Sequence, residues 1–226
     1  MKKALTLFGL ATALIVSAAQ AQTLTNLALY NLSGLNGTNA DVAVASTAQD
    51  VSATSIVRGA GLTSTTTGTN SFAASGWATA AAVDTNDWFG FTITPSSGFS
   101  LSLSNFYFAE RRSGTGIRNW ELRLSLDDFS TFTSITNVTV PDDTATRQQV
   151  VSLGAGFDNV TNTVGFRLYG YAAEAGTGTW RIENNSTLGN LGIDGTVAVV
   201  PEPSTYAMLA LAAAGLGAHV MRRRRR

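Results

Sequence analysis

The sequence predicts an all-β fold, a two-sheet antiparallel β-sandwich of jelly-roll type, flanked by two terminal segments of different character. Between residues 22 and 200, apolar and polar residues alternate with the period of half-buried strands. Glycine-rich turns separate about ten such segments. No capped apolar pattern of helical period occurs in this range. An open β-solenoid is the alternative, although residues 22–200 contain no repeat of fixed length.

The first 21 residues have the three parts of a secretory signal peptide. Lys2 and Lys3 form a basic start, and residues 4–16 form an uncharged apolar core. Ala19-Gln20-Ala21 fits the small-residue cleavage site. We therefore expect cleavage after Ala21 and a single exported domain at residues 22–200. An uncleaved membrane anchor is the less favoured alternative, because the apolar run is short.

The first third of the domain has weaker strand signals. Residues 24–32 and 51–58 are predicted strands, and residues 34–50 are a predicted loop or edge segment. Residues 59–76 are rich in Thr, Ser and Gly and offer few apolar side chains. The sequence therefore predicts a long surface loop at residues 59–76.

From residue 77 the alternation becomes clear. Predicted strands are residues 86–94, 99–108, 119–126, 147–153, 164–171, 178–183 and 191–199. Apolar residues change phase between Leu103 and Phe106, which predicts a β-bulge near Ser104-Asn105. Trp120, Leu122, Leu124 and Leu126 share one face and are predicted core residues.

Charge and cysteine content exclude several classes of protein. Residues 22–200 contain eight arginines, no lysine and fourteen acidic residues, a formal charge of −6. A nucleic-acid-binding domain would need a basic surface, so we predict no nucleic-acid partner. The chain has no cysteine, so an exported domain of this kind has no disulfide and depends on its core.

The sequence contains few residues suited to catalysis. Its single histidine, His219, lies near the carboxyl terminus, which excludes a Ser-His-Asp triad and the usual zinc sites. A carboxylate pair could hydrolyse glycosides; the candidates are Glu110, Glu121, Glu174, Glu183, Asp84 and Asp87. Cross-strand pairing with arginines is the preferred interpretation; the arginines are Arg112, Arg118, Arg123, Arg167 and Arg181. Paired carboxylates stay ionised and are poor general acids.

Calcium is the one metal for which suitable oxygen ligands occur. Asp84 with Asp87, or Asp127 with Asp128, could supply carboxylates to a hard cation. No calcium-loop motif is present, and aspartate pairs at strand ends are usually solvated turns. We therefore assign no metal ligands and no cofactor, and keep calcium as an alternative.

A mixed aromatic and charged face is the candidate ligand-binding surface. Arg167, Tyr169 and Tyr171 alternate with the predicted core residues of their strand, so they share the outer face. Trp88 and Arg123 occupy the corresponding face of two other predicted strands. Aromatic rings beside guanidinium groups suit sugar rings and their hydroxyls. The alternative is that these aromatic residues only fill the second face of a sheet.

The carboxyl terminus has three parts in a fixed order. Pro201-Glu202-Pro203 is followed by an apolar run, residues 205–221, and by five arginines, residues 222–226. A helix over residues 205–221 would be about 26 Å long, marginal against a hydrocarbon core of roughly 30 Å. Snorkelling arginines could compensate, and their charge would keep that end in the cytoplasm. We therefore expect one membrane-spanning helix that anchors the protein.

This arrangement resembles the PEP-CTERM sorting signal of exported bacterial proteins. The resemblance covers residues 201–226 and implies that Pro201, Glu202 and Pro203 are recognised by an exosortase, a membrane-bound processing enzyme. It also implies an association with exopolysaccharide and biofilm. The middle of the chain resembles the domain often found before such tails, which supports a β-sandwich and implies no activity; the segments concerned are residues 76–77, 87–93, 112–116, 119–123 and 167–171.

Together these features predict a non-enzymatic, exported protein of the cell surface or extracellular matrix. The tail would hold it at the membrane until an exosortase processes it, and its sandwich would bind exopolysaccharide. The alternative is a secreted carbohydrate-active enzyme that uses a carboxylate pair.

Overall fold

Alternating apolar residues place one side of each long strand in a shared core, and the chain forms two facing sheets. The structure is a computed structural model that describes residues 24–184, 190–201 and 203–224. The predicted signal peptide lies outside these residues. The strands are β1 (Thr25–Tyr30), β2 (Asn36–Gly37), β3 (Val44–Thr47), β4 (Val51–Ala53), β5 (Val57–Arg58), β6 (Thr63–Ser64), β7 (Ser71–Ser75), β8 (Trp88–Pro95), β9 (Phe99–Arg112), β10 (Asn119–Ser125), β11 (Thr133–Thr139), β12 (Arg147–Ser152), β13 (Val164–Tyr171), β14 (Trp180–Glu183) and β15 (Leu191–Val199). A short 3₁₀ helix (Ala155–Phe157) precedes β13, and one helix, α1 (Pro203–Arg224), follows β15.

Strand β9 is the centre of the first sheet. Its residue Phe106 pairs with Ile193 of β15 on one edge and Val151 of β12 on the other. Further along β9, Glu110 pairs with Ile182 of β14. This pairing is on the same edge of β9 that pairs with β15 nearer its start. Strands β14 and β15 therefore lie end to end along β9, and β7 and β1 pair with their outer edges. Strands β2, β3 and β6 complete this sheet.

The second sheet has the order β11-β10-β13-β8-β4, with β5 also paired to β8. All its pairs are antiparallel. The predicted two-sheet β-sandwich is confirmed. One pair in the first sheet, β2 with β7, is parallel, so the sandwich is not wholly antiparallel. The jelly-roll connection order stays a prediction.

Aromatic side chains fill the space between the sheets. Trp77, Trp120 and Trp180 are fully buried or nearly so. Trp77 and Trp180 meet edge to face with ring centroids 5.3 Å apart, and Phe89 contacts both. Edge-to-face and stacked aromatic pairs add to the stabilisation that burial gives. With no cysteine in the chain, this core carries the stability.

The predicted bulge in the long strand of the first sheet is present. In the pairing with β15, the register passes from Leu103 to Asn105 and leaves Ser104 without a partner residue. The extra residue moves the core-facing phase from Leu101 and Leu103 to Phe106 and Phe108, all of which are buried. A phase change in the sequence thus located a backbone irregularity.

The prediction of a surface loop at residues 59–76 is wrong. Strand β7 lies within it, and Phe72, Ala73 and Ala74 are fully buried. Phe72 packs against Phe89, with ring centroids 5.2 Å apart. The strand is buried on both faces, so apolar and polar residues do not alternate along it. Its apolar run is also short and follows a long polar stretch, which led to the loop prediction.

Two further expectations differ from the structure. Strand β11, residues 133–139, was not predicted, because its sequence is mostly Thr, Ser and Asn and its side chains are largely exposed. Leu126 was placed in the core with Trp120, yet its side chain is 45% exposed. It lies beyond the last residue of β10, Ser125, where the alternation no longer applies.

The tail forms helix α1, but the expected membrane-spanning helix is not supported. Among residues 24–184, 190–201 and 203–224, no helix is both long and apolar enough to cross a membrane.

Candidate functional site

The structure brings all five predicted ligand-binding residues to the outer face of the second sheet. Arg167 of β13 lies directly opposite Arg123 of β10. Tyr169 lies opposite Trp88 of β8, and Tyr171 follows on the same side of β13. The residues between them on β13, Phe166 and Leu168, point into the core. We call this surface, with the loop at residues 126–132 that covers part of it, the arginine face.

Arg167 lies against two aromatic rings. Its guanidinium carbon is 4.4 Å from the centroid of Trp88 and 3.9 Å from that of Phe129. Glycines make room for both rings: a Cβ at Gly90 would lie 2.9 Å from ring carbons of Trp88, and one at Gly165 would lie 2.8 Å from Phe129. The two glycines allow the rings to lie against the sheet and hold the guanidinium in place.

Arg123 is held in a similar way but is also neutralised. Its guanidinium carbon lies 4.8 Å from the Tyr169 ring and 4.3 Å from the Phe132 ring. Its Nε and Nη2 atoms donate to the two carboxylate oxygens of Glu121 at 2.8 and 2.9 Å. Burial alone would raise the pKa of Glu121, but hydrogen bonds from Arg123 and Ser134 lower it below the ordinary value. This ion pair is therefore fully charged at neutral pH.

The loop at residues 126–132 supplies two aromatic residues that the sequence did not indicate, Phe129 and Phe132. The loop is fixed by Ser125, whose hydroxyl accepts from the Phe129 amide at 2.8 Å. Asp127 accepts from the amide and the hydroxyl of Thr131 at 2.9 and 2.7 Å. The pKa of Asp127 is lowered, and the hydrogen bonds from Thr131 are the main cause. The only sequence signal was this run of turn-forming residues after β10.

The tyrosines of the arginine face are not exposed, contrary to expectation. Tyr169 is 2% exposed and Tyr171 is 8% exposed. Arg123 covers the ring of Tyr169, and Asn137 donates to the hydroxyl of Tyr171 at 2.5 Å. Strand alternation placed both side chains on the correct face. It could not show that neighbouring side chains cover them.

Three of the six candidate catalytic carboxylates lie close to arginines. Glu121 binds Arg123 and Glu183 binds Arg181, each two residues away on the same strand, so these pairs are not cross-strand as expected. Glu174 lies 3.0 Å from Arg118. Arg167 was expected to pair as well, but no carboxylate of a described residue lies within 4.0 Å of it.

Glu110 differs from these three, because it is fully buried and its nearest arginine nitrogen is 3.9 Å away. Its Oε2 accepts from the indole nitrogen of Trp180 at 2.9 Å, and Arg147 is 3.9 Å from its other oxygen. Burial, partly offset by these two neighbours, raises the pKa of Glu110. It was a candidate for a carboxylate pair, but it lies inside the sandwich and cannot contact a polysaccharide.

A second cluster of charges closes one end of the sandwich. Arg112 is fully buried and its Nη1 donates to Asp142 at 2.7 Å, while Nη2 donates to the carbonyls of Gly114 and Gly116. Glu174 lies 3.1 Å from the same Nη2. Arg112 thus joins three connecting segments, and its role is structural.

The aspartates considered for calcium have other contacts. Asp87 accepts from the Ala78 amide at 2.8 Å, and Asp84 accepts from the Asn86 amide at 2.8 Å. In the described part of the chain, no group of three or more His, Cys, Asp or Glu side chains is placed to hold a metal ion. Calcium binding stays a prediction.

Comparison with known proteins identifies the tail. Residues 199–226 match the PEP-CTERM protein-sorting motif. No curated protein matches the chain in sequence.

Solved structures with a similar arrangement include carbohydrate-binding modules of family 29. A CBM29-2 mutant complexed with mannohexaose is 10% identical with a TM-score of 0.41, covering 76% of this chain and 92% of that one. Another family 29 module is 10% identical with a TM-score of 0.40, covering 76% and 89%. A CBM29-2 mutant complexed with cellulohexaose is 11% identical with a TM-score of 0.39, covering 77% and 92%. At these TM-scores the similarity carries no argument about this chain.

Proposed function

We propose that this protein is exported and serves, without catalysis of its own, in the cell surface or extracellular matrix. The PEP-CTERM sorting motif at residues 199–226 is the observation that carries this proposal. The motif implies that an exosortase-type enzyme processes the tail. The sandwich is the part that remains and acts outside the cytoplasm.

The junction between sandwich and motif supports processing of the folded protein. The Val200 amide donates to the Gly98 carbonyl at 2.8 Å, so β-type contacts continue to the residue before the motif. Pro201 is exposed and follows directly. Proline cannot extend the ladder, so the chain leaves the sheet at the first residue of the motif, where a processing enzyme can reach it.

We further propose that the arginine face binds exopolysaccharide. Trp88 and Arg167 are half-buried, so each presents part of its surface to solvent. The indole ring is fixed against the sheet over Gly90, and a ring held in place loses little conformational entropy when it stacks on a sugar. Tyr169 and Tyr171 contribute as supports beneath the surface, since both are buried.

Replacing Pro201, Glu202 and Pro203 together by alanine should abolish processing of the tail. The mass of the exported protein should then include residues through 226, whereas the unaltered protein should have a shorter carboxyl terminus. Val199→Ala is the matched control, because it changes an exposed residue that precedes the Pro-Glu-Pro segment. Identical mature termini for the triple variant and the unaltered protein would refute recognition of the motif.

Trp88→Ala should weaken retention on the native matrix polysaccharide about tenfold, since an aromatic stacking contact contributes about 1.5 kcal/mol. A pull-down with the exported protein measures this. Val150→Ala, an exposed apolar residue on the first sheet, is the control and should bind normally.

The enzyme alternative is tested in the same samples. Release of reducing sugar that is lost in Glu121→Gln or Glu183→Gln would overturn the non-enzymatic proposal. Equal retention of Trp88→Ala and the unaltered protein would refute the proposal that the arginine face binds exopolysaccharide.

A further inference from the structure

The arginines of the exported domain differ in how their charges are balanced. Five of the eight lie within 4.0 Å of a carboxylate; they are Arg112, Arg118, Arg123, Arg147 and Arg181. Arg58 donates instead to the carbonyls of Gly37, Asn39 and Ala73. Within the described ranges, Arg111 and Arg167 have neither arrangement.

Arg111 and Arg167 occupy equivalent places in the two sheets. Arg111 lies opposite Arg181, which Glu183 neutralises, just as Arg167 lies opposite Arg123, which Glu121 neutralises. Like charges directly opposite one another destabilise a sheet. Each of these arginine pairs has one carboxylate, which binds only one of the two arginines. The positive charge of the other arginine is therefore not neutralised.

Of Arg111 and Arg167, Arg167 is the one held in position by aromatic rings, those of Trp88 and Phe129. The two ring centroids lie 4.4 and 3.9 Å from the guanidinium carbon, whereas the N–H groups of a guanidinium lie in its own plane. Of those donors, Nη1 makes one long hydrogen bond, 3.5 Å to the hydroxyl of Tyr169. The N–H edge is therefore fixed and largely unused.

The acidic side chains around this edge are turned to other partners. Glu121 binds Arg123 through both oxygens. Asp127 accepts hydrogen bonds from Ser125 and Thr131 within the loop. Asp128, the remaining acid of the loop, is exposed and makes no ion pair with Arg167 within 4.0 Å.

From this arrangement we infer that Arg167 binds the carboxylate of an acidic sugar, so that the arginine face recognises a uronic-acid-containing polysaccharide. This inference rests on the proposed glycan-binding function and specifies its ligand. A carboxylate accepts two parallel N–H···O bonds from the edge of a guanidinium. The Trp88 ring, beside that edge, would stack on the same sugar.

The overall charge of the domain makes the inference easy to test. Residues 22–200 carry a formal charge of −6, so the domain as a whole repels a polyanion. Retention on an acidic polymer would therefore depend on a specific site rather than on general electrostatic attraction.

The test compares the exported protein on polygalacturonate and on the same polymer after reduction of its carboxyl groups. The unaltered protein should bind the acidic form about 10–100-fold more tightly, the effect of a charge-assisted hydrogen bond. Arg167→Gln should lose that preference and keep the weaker binding to the reduced polymer. Arg111→Gln, the matched control with the same net charge, should retain it.

A second variant tests whether lost binding results from unfolding of the domain. Arg167→Lys keeps the charge but not the fork of donors, so it should lose most of the preference while its melting temperature stays close to that of the unaltered protein. Equal binding to both polymers, or a preference that survives in Arg167→Gln, would overturn the inference while leaving the glycan-binding proposal intact. No retention on either polymer or on the native matrix would overturn both. Arg167-dependent binding to dextran sulfate but not polygalacturonate would refute carboxylate recognition in favour of a sulfate ester.

Discussion

Trp120→Ala should lower the free energy of unfolding by about 3–5 kcal/mol, the cost of removing a large aromatic side chain from a core. Trp120 is fully buried and packs edge to face on Phe108, with ring centroids 5.4 Å apart. A loss of this size is a large share of the 5–15 kcal/mol typical of a domain. Urea denaturation of the exported protein, followed by far-ultraviolet circular dichroism, measures it.

One variant acts as the control for Trp120. Phe132→Ala removes an aromatic ring that is 50% exposed and should cost less. Equal, small losses for Trp120 and Phe132 would mean that the facing of β10 is wrong.

Arg112→Met should lower the free energy of unfolding by about 3 kcal/mol, the low end of the range for breaking a buried ion pair. Methionine keeps the apolar stem but cannot donate to Asp142 or to the carbonyls of Gly114 and Gly116. The low end applies because Asp142 and Glu174 are 63% and 36% exposed, so water can solvate them when the arginine is lost.

Arg118→Met is the matched control for Arg112. Arg118 contacts the same two carboxylates, at 3.2 and 3.0 Å, but its side chain is 31% exposed, so its charge is screened by water. Its replacement should change the urea midpoint much less. A similar shift for both variants would show that the end of the sandwich depends on surface charge and not on the buried guanidinium.

The central strands and the shared face of the candidate site were predictable from the sequence. In strands β8, β10 and β13, apolar core residues alternate with polar and aromatic residues, so the alternation fixes which side chains face the core and which lie on the other side of the sheet. Trp88, Arg123 and Arg167 were therefore assigned to one surface correctly. The bulge at Ser104 was equally visible, because an extra residue shifts the apolar phase.

Elements without alternation could not be found in this way. Strand β7 is buried on both faces and β11 is largely exposed, so neither has a period of two. The sorting motif was recognised from its order of prolines, apolar residues and arginines, which is a property of sequence. The expectation that its helix crosses a membrane was not supported among the residues that the structure describes.

The sequence by itself determined that the middle of the chain is a β-sandwich, the positions of its long alternating strands, and that a sorting motif follows. Only the tertiary structure decided which charges are balanced. Arginine and glutamate occur near one another throughout the chain, but pairing depends on distances of a few ångströms set by register and by loops far from either residue. The structure brings Phe129 and Phe132 over the sheet, covers Tyr169 and, among the described residues, leaves Arg167 without a carboxylate within 4.0 Å. That remaining charge arises because strand pairing places Arg123, already bound to Glu121, directly opposite it.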